Sequence, residues 1–210
     1  MPDTSEVRTM TDLNEYLGQK RPAFRALKEA AAKPDYAPTP LRARVTAEGR
    51  SGIRRIRIRD FQVLSDSPPS FVGYDIGPSS PELALGALGS CLTHSFLIQA
   101  AVHELPLDSL EVEVTGRIDA RAGSAGHEDV PVYPHDIAYT VRIVSPASED
   151  DVATVREAVE RSCPILNLLR HPQALAGRIE HSRPPSEPRI PKRSSHGSAN
   201  GGVSQGDRPR

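Results

Sequence analysis

The chain of 210 residues contains no tryptophan, and only 4% of its residues are aromatic. With 37% hydrophobic residues, it is lean for one compact body of this length, so part of it is expected to lie outside the core. It has two cysteines. That is too few for the disulfide framework of a small secreted domain, and too few for a structural zinc site unless histidines complete it. Charge of one sign is missing too: 26 basic side chains face 27 acidic ones, a formal net charge of −1. The general field that recruits nucleic acid or anionic membrane is therefore absent. Residues 1–10 lack the basic start and apolar run of a signal peptide. These absences point to the cytoplasm, where a cysteine pair is more often redox-active or catalytic than architectural.

The sequence does contain one long uncharged stretch. Residues 83–102 hold no Asp, Glu, Lys or Arg, which is the length of a membrane-spanning helix. His94, Gln99 and several Ser and Thr interrupt it, and no basic cluster flanks it. A helix buried on nearly all sides of a soluble protein is the expectation. Before it, residues 11–20 and 22–33 read as two short helices with thin apolar faces, Pro22 opening the second. Residues 41–48 and 53–64 alternate polar and apolar around Gly49-Arg50-Ser51-Gly52, a β-hairpin in which Ile56 and Ile58 face away from Arg55, Arg57 and Arg59. Phe61 and Val63 fall out of phase, so a bulge is expected near Asp60. After the central helix come strands at residues 110–115 and 137–143, a helix capped by Ser148, and a short strand at 177–181. Residues 182–210 are Pro, Ser, Gly and Arg with few apolar residues, and read as a disordered tail. The expected division is an N-terminal helical extension (1–37), one α+β domain (38–181) with antiparallel pairing, and the tail (182–210).

The candidates for chemistry are Cys91, inside the uncharged helix, and Cys163, on the apolar stripe of the last helix directly before Pro164. If Pro164 restarts the helix, Cys163 stands at a new N-terminus, where unpaired N–H groups favour a thiolate. The alternative is that both are small core residues. Glu82 is either functional or an ordinary acid in a first turn, and the arginines of the hairpin either functional or a solvated face. A metal site of Cys91, His94 and Cys163 lacks a clear fourth ligand. His94 is expected as a hydrogen-bonded core residue or a wall of the thiol pocket. No metal and no cofactor are expected.

The stretch from Ser80 to Cys91, with Pro81 and Glu82 opening a helix, a run of Leu and Ala, then Gly89 and Ser90 before the cysteine, resembles the first cysteine motif of the OsmC/Ohr family. Ser162-Cys163-Pro164-Ile165-Leu166-Asn167 resembles the second, and Asp75, Gly77 and Pro78 the loop before the first. The resemblance spans residues 38–181. It implies antiparallel sheets wrapped around two central cysteine-bearing helices in an intertwined homodimer. It also implies hydroperoxide reduction, organic or hydrogen peroxide, with Cys91 attacking and Cys163 resolving the sulfenic acid as a disulfide. A small dithiol or a lipoylated protein resets the pair. Family members hold an activating arginine with the motif glutamate. Glu82 matches the glutamate, and Arg50 in the hairpin turn matches the arginine, with Arg54 taking over if the register shifts. A non-enzymatic OsmC-like protein binding a small ligand is the alternative.

Overall fold

The computed structural model describes residues 13–183. The sequence expectations for residues 1–12 and for most of the tail lie outside them. The chain divides into two units at Gln173/Ala174. In the second, residues 174–183 form neither helix nor strand, so the strand expected at 177–181 is absent. All of these residues are exposed, so water can take up their backbone groups in place of a strand ladder.

In the first unit the elements run α1 (Leu13–Ala31), β1 (Arg44–Ala47), β2 (Arg54–Ile58), β3 (Phe61–Ser65), α2 (Ser80–His103), β4 (Ser109–Arg117), β5 (His135–Val144), α3 (Glu149–Ser162) and α4 (Pro164–Arg170). This is an α+β fold with two antiparallel sheets, β1-β2-β3 and β4-β5.

The N-terminal segment is one helix, not two, and Pro22 lies inside it. Pro22 has no N–H to return to the preceding turn. Contacts on the turns just before that gap hold the helix in place: Leu17 is buried, and Arg21 Nε donates to the Ala101 carbonyl at 2.6 Å. Asn14 fastens the start of the helix, exchanging two hydrogen bonds with the backbone of Leu107.

The expected hairpin is present, with Val45 opposite Ile56 and Arg44 opposite Arg57. The phase slip near Asp60 is a two-residue turn rather than a bulge. Ile58 pairs with Phe61, and Arg59 takes φ 54°. A turn of this length reverses the chain and keeps Ile56, Ile58, Phe61 and Val63 on one face, so no extra residue is needed to restore the pattern.

The core is built on α2. Leu88, Leu92, Phe96, Ala100 and Ala101 are buried with Leu105, Leu107, Val155, Val159 and Leu166. Leu110, Val112 and Val114 of β4, and Tyr139, Val141 and Ile143 of β5, pack against them, as period-2 alternation requires. Arg142 on the other face of that hairpin pairs with Glu111 and Glu113. By length and composition α2 could cross a membrane. It is packed instead against α1, α3, α4 and β4. It is not buried on nearly all sides as expected: Ala84, Ala87, Ser90 and His94 are exposed, because none of the described elements covers that side.

Candidate active site

The helix that carries the first cysteine has a defined start. Ser79 is extended at the N-cap, and its N–H and Oγ both donate to Glu82 Oε2, at 2.7 and 2.6 Å. Those bonds hold the Glu82 carboxyl below the usual carboxylate range. The helix ends where Glu104 turns left-handed (φ 57°) and its N–H returns to the Ala100 carbonyl. Cys91 sits between these ends and is half-buried, whereas Cys163 is fully buried at 0% exposure.

Cys163 lies in neither helix. It is the single extended residue (φ −70°, ψ 114°) between α3 and α4, capping the end of one and the start of the other. Its N–H donates to the Val159 carbonyl at 2.8 Å, and its own carbonyl accepts from Asn167 N and Nδ2. Pro164 causes the break: it cannot continue the α3 ladder, but it suits the first position of a new helix.

The structure brings the two cysteines together as free thiols, close enough for Cys163 to act on the ionisation of Cys91. Burial pushes the Cys91 thiol up, and the hydrogen bond to Cys163 pushes the same way. The Ile165 N–H and the Ser95 hydroxyl, both aimed at the Cys91 sulfur, pull it partly back. Neither donor was singled out in the sequence. Ser95 had a readable signal, since it lies one helical turn after Cys91 and on the same face. Ile165 acts through its backbone N–H, one of the orphan donors at the start of α4, and so leaves no trace in residue type.

The other sequence-derived candidates are not at this pair. Glu82 lies nine residues before Cys91, roughly 13 Å along the axis and half a turn out of phase, so it faces the opposite side of α2. Arg54 is engaged elsewhere. Its guanidinium donates to the Asp66 carbonyl at 2.7 Å, to Ser65 Oγ, and to the Gly52 carbonyl. Asp66 beneath it is fully buried. Burial raises that carboxyl, but N–H donors from Ser67, Tyr74 and Ile76 and the nearby Arg54 outweigh it and hold it low. The loop closes around this cluster so tightly that a Cβ on Gly73 would lie 1.8 Å from the Ser67 carbonyl oxygen. Arg50 is exposed in the hairpin turn.

His94 is exposed rather than buried in the core, one consequence of the uncovered side of α2. Among the described residues no three His, Cys, Asp or Glu side chains converge to hold a metal ion. Two clefts meet at Glu82 and Leu85: one of about 280 Å³ reaching to Asp66 and Arg117, and one of about 400 Å³ along Gly86, Ser90 and Thr93 against β4. Neither is lined by Cys91.

Comparison with known proteins bears on this arrangement. The family model described as OsmC-like protein matches residues 73–176, from the loop before α2 to beyond α4. Residues 73–176 form an OsmC-like domain. The OsmC-like fold extends to solved structures. An OsmC-like protein from Mycoplasma pneumoniae aligns over 64% of this chain and 89% of its own, with 19% identity and a TM-score of 0.56. An OsmC-like protein of unknown function from Vibrio cholerae aligns over 62% and 93%, with 14% identity and a TM-score of 0.52. An organic hydroperoxide resistance protein OsmC from Legionella pneumophila aligns over 64% and 92%, with 14% identity and a TM-score of 0.48. A search of curated proteins finds no match.

Proposed function

We propose that this OsmC-like protein is a thiol-dependent hydroperoxide reductase of the cytoplasm that works as a homodimer. One observation carries the reading: a half-buried thiol, Cys91, is a near neighbour of a fully buried one, Cys163, at a proline-broken helix. Their exposures support the roles of Cys91 as attacker and Cys163 as resolver. A peroxide reaches Cys91, while Cys163 is reached only through Cys91. The Cys91 thiolate attacks one oxygen of R–O–O–H and the O–O bond breaks. Cys91 becomes a sulfenic acid, and the leaving alkoxide takes a proton to give the alcohol, or water from hydrogen peroxide. The Cys163 thiolate then attacks the Cys91 sulfur and expels hydroxide, which leaves as water, forming the Cys91–Cys163 disulfide. A dithiol, free or lipoylated, reduces it by two exchanges.

The attacking thiol needs a cation, because burial holds it in the protonated form. Of the two candidate arginines, Arg50 is the one available for this. It is exposed and has no hydrogen bond or ion pair among the described residues, whereas Arg54 is held by Asp66 and its neighbours. A second copy supplies it. The β1–β3 sheet is not among the elements packed extensively on α2. Its apolar face leaves Val45, Ile58 and Phe61 exposed at 54%, 44% and 63%, and the uncovered side of α2 is the complementary surface. Glu82, turned away from the Cys91 of its own chain, steers the arginine with the oxygen that Ser79 does not occupy.

The test is peroxide consumption by the purified protein with a dithiol, followed against pH. A cation lowers the pKa of a nearby thiol, so removing it raises that pKa and shifts the rate profile to higher pH. Arg50→Ala is expected to move the half-maximal rate up by about one unit or more, with Arg50→Lys between it and wild type. An unchanged profile would remove Arg50 from the site. The raised Cys91 thiol, taken alone, favours the second reading, a non-enzymatic protein binding a small apolar or thiol ligand. In that case wild type consumes no peroxide.

A further inference from the structure

We infer that the outer face of the β1–β2 hairpin is a binding site for a short phosphate chain, separate from the cysteine pair. The register sets Arg44 directly opposite Arg57, and Arg42 and Arg59, just beyond the ends of the two strands, line the same concavity. These four arginines and Pro40 line a concavity of about 350 Å³. All four are exposed, and among the described residues none has a hydrogen bond or an ion pair. Arg55, also on this face, shows what a compensated arginine looks like here: it is held by Glu48 and Gln62. Arg59 lies over the Phe61 ring at 5.1 Å, a contact that leaves its N–H groups free. Asp60, the acid next to it in sequence, stands at the exposed turn and makes no ion pair among the described residues.

Like charges directly opposite on a ladder destabilise it. Here Arg44 faces Arg57, and among the described residues no ion pair neutralises either: Glu48 feels Arg57 but is held by Arg55. Cross-strand partners lie about 5 Å apart and successive same-face residues about 7 Å, so four guanidinium forks converge on a space only a few atoms long. Guanidinium matches phosphate oxygens bidentately. Four of them match a compact chain with several negative charges better than a single carboxylate or one phosphate. Since the whole chain has a net charge of −1, the patch is local and does not continue as a track for nucleic acid. Pro40 is the one lining residue that is not an arginine, so the site offers no group that reads a base. The phosphate chain itself is what is recognised.

Titration calorimetry of the full chain at low ionic strength tests this, with inorganic triphosphate as the probe and ATP and a short single-stranded DNA as parallel arms. One saturable triphosphate site per chain is expected, with ATP binding within about threefold because its phosphates are the same. Arg44→Gln/Arg57→Gln and, separately, Arg42→Gln/Arg59→Gln are expected to weaken it by about tenfold or more. Both pairs are exposed, so thermal melts at or above that of wild type and unchanged peroxide turnover are the accompanying results. No saturable triphosphate binding, equal binding by wild type and both variants, ATP tighter by about tenfold, or DNA tighter than triphosphate would each overturn the assignment.

Discussion

Replacing Cys91 by serine is expected to lower the rate of hydroperoxide consumption by about a thousandfold or more, to the background of the dithiol alone. The hydroxyl that replaces the thiol does not ionise near neutral pH, and it cannot carry the reaction's oxidation state, because no oxygen analogue of a sulfenic acid forms. The substitution is also a mild one for the fold. Cys91 is half-buried and lies at the margin of the core rather than within it. Serine presents the same shape to Ser95 and to the Ile165 N–H, both of which can bond a hydroxyl. A thermal melt close to wild type with peroxide consumption lost separates chemistry from unfolding. Consumption retained by the variant would place the reaction elsewhere in the molecule.

Phe96→Ala is expected to cost about 3–5 kcal/mol of stability, and to lower the melting temperature by roughly 10 °C for a chain of this size. Phe96 is among the largest fully enclosed side chains, at 2% exposure. It stands on the one helix that α1, α3, α4 and β4 all pack against. Truncation removes apolar contact and leaves a cavity that rigid neighbours on several sides cannot close. The cost is a large fraction of the stability of an ordinary domain. Phe71→Ala is the control: Phe71 is 77% exposed, and its loss is expected to change stability by about 0.5 kcal/mol or less. Comparable melts for the two variants would contradict the placement of the core. Denaturant and thermal unfolding of both, side by side, measure it.

The elements that were legible in the sequence are those whose side chains alternate between two environments within one chain. The β1–β2 hairpin, the β4–β5 pair and the Ser148 cap could be read because a period of two or a capping serine acts locally. Ser148 Oγ does accept from the Asp151 N–H, as its position before three acids implied. What misled was context. Pro22 looks like a helix start in isolation, but Leu17 and Arg21, in the turns before it, anchor α1 on contacts far away in sequence. The turn at Arg59 looks like a bulge because a two-residue reversal and a one-residue insertion shift the apolar phase alike. His94 looked like a core residue because α2 is so apolar, yet one side of α2 is left uncovered by the described elements.

The candidate site divides in the same way. Cys91 and Cys163 could be picked out as a pair, and the structure brings them together. Ser95 was readable by helical spacing and Ile165 was not. For the arginine the sequence offered two neighbours without the means to choose. The choice depends on Asp66, a buried acid in a loop rich in Pro, Ser and Gly that no periodicity marks. Arg54 shares the apolar face with Ile56, and that places it over Asp66.

The most direct measurement is thiol trapping after a single equivalent of cumene hydroperoxide. The reduced protein is oxidised, denatured with an excess of alkylating agent, and weighed by mass spectrometry. The account predicts a chain that takes up no alkyl group and has lost two hydrogens, with Cys91 and Cys163 in one linked peptide after digestion. A chain that takes up two alkyl groups, or one with Cys163 alkylated and Cys91 over-oxidised, would contradict it.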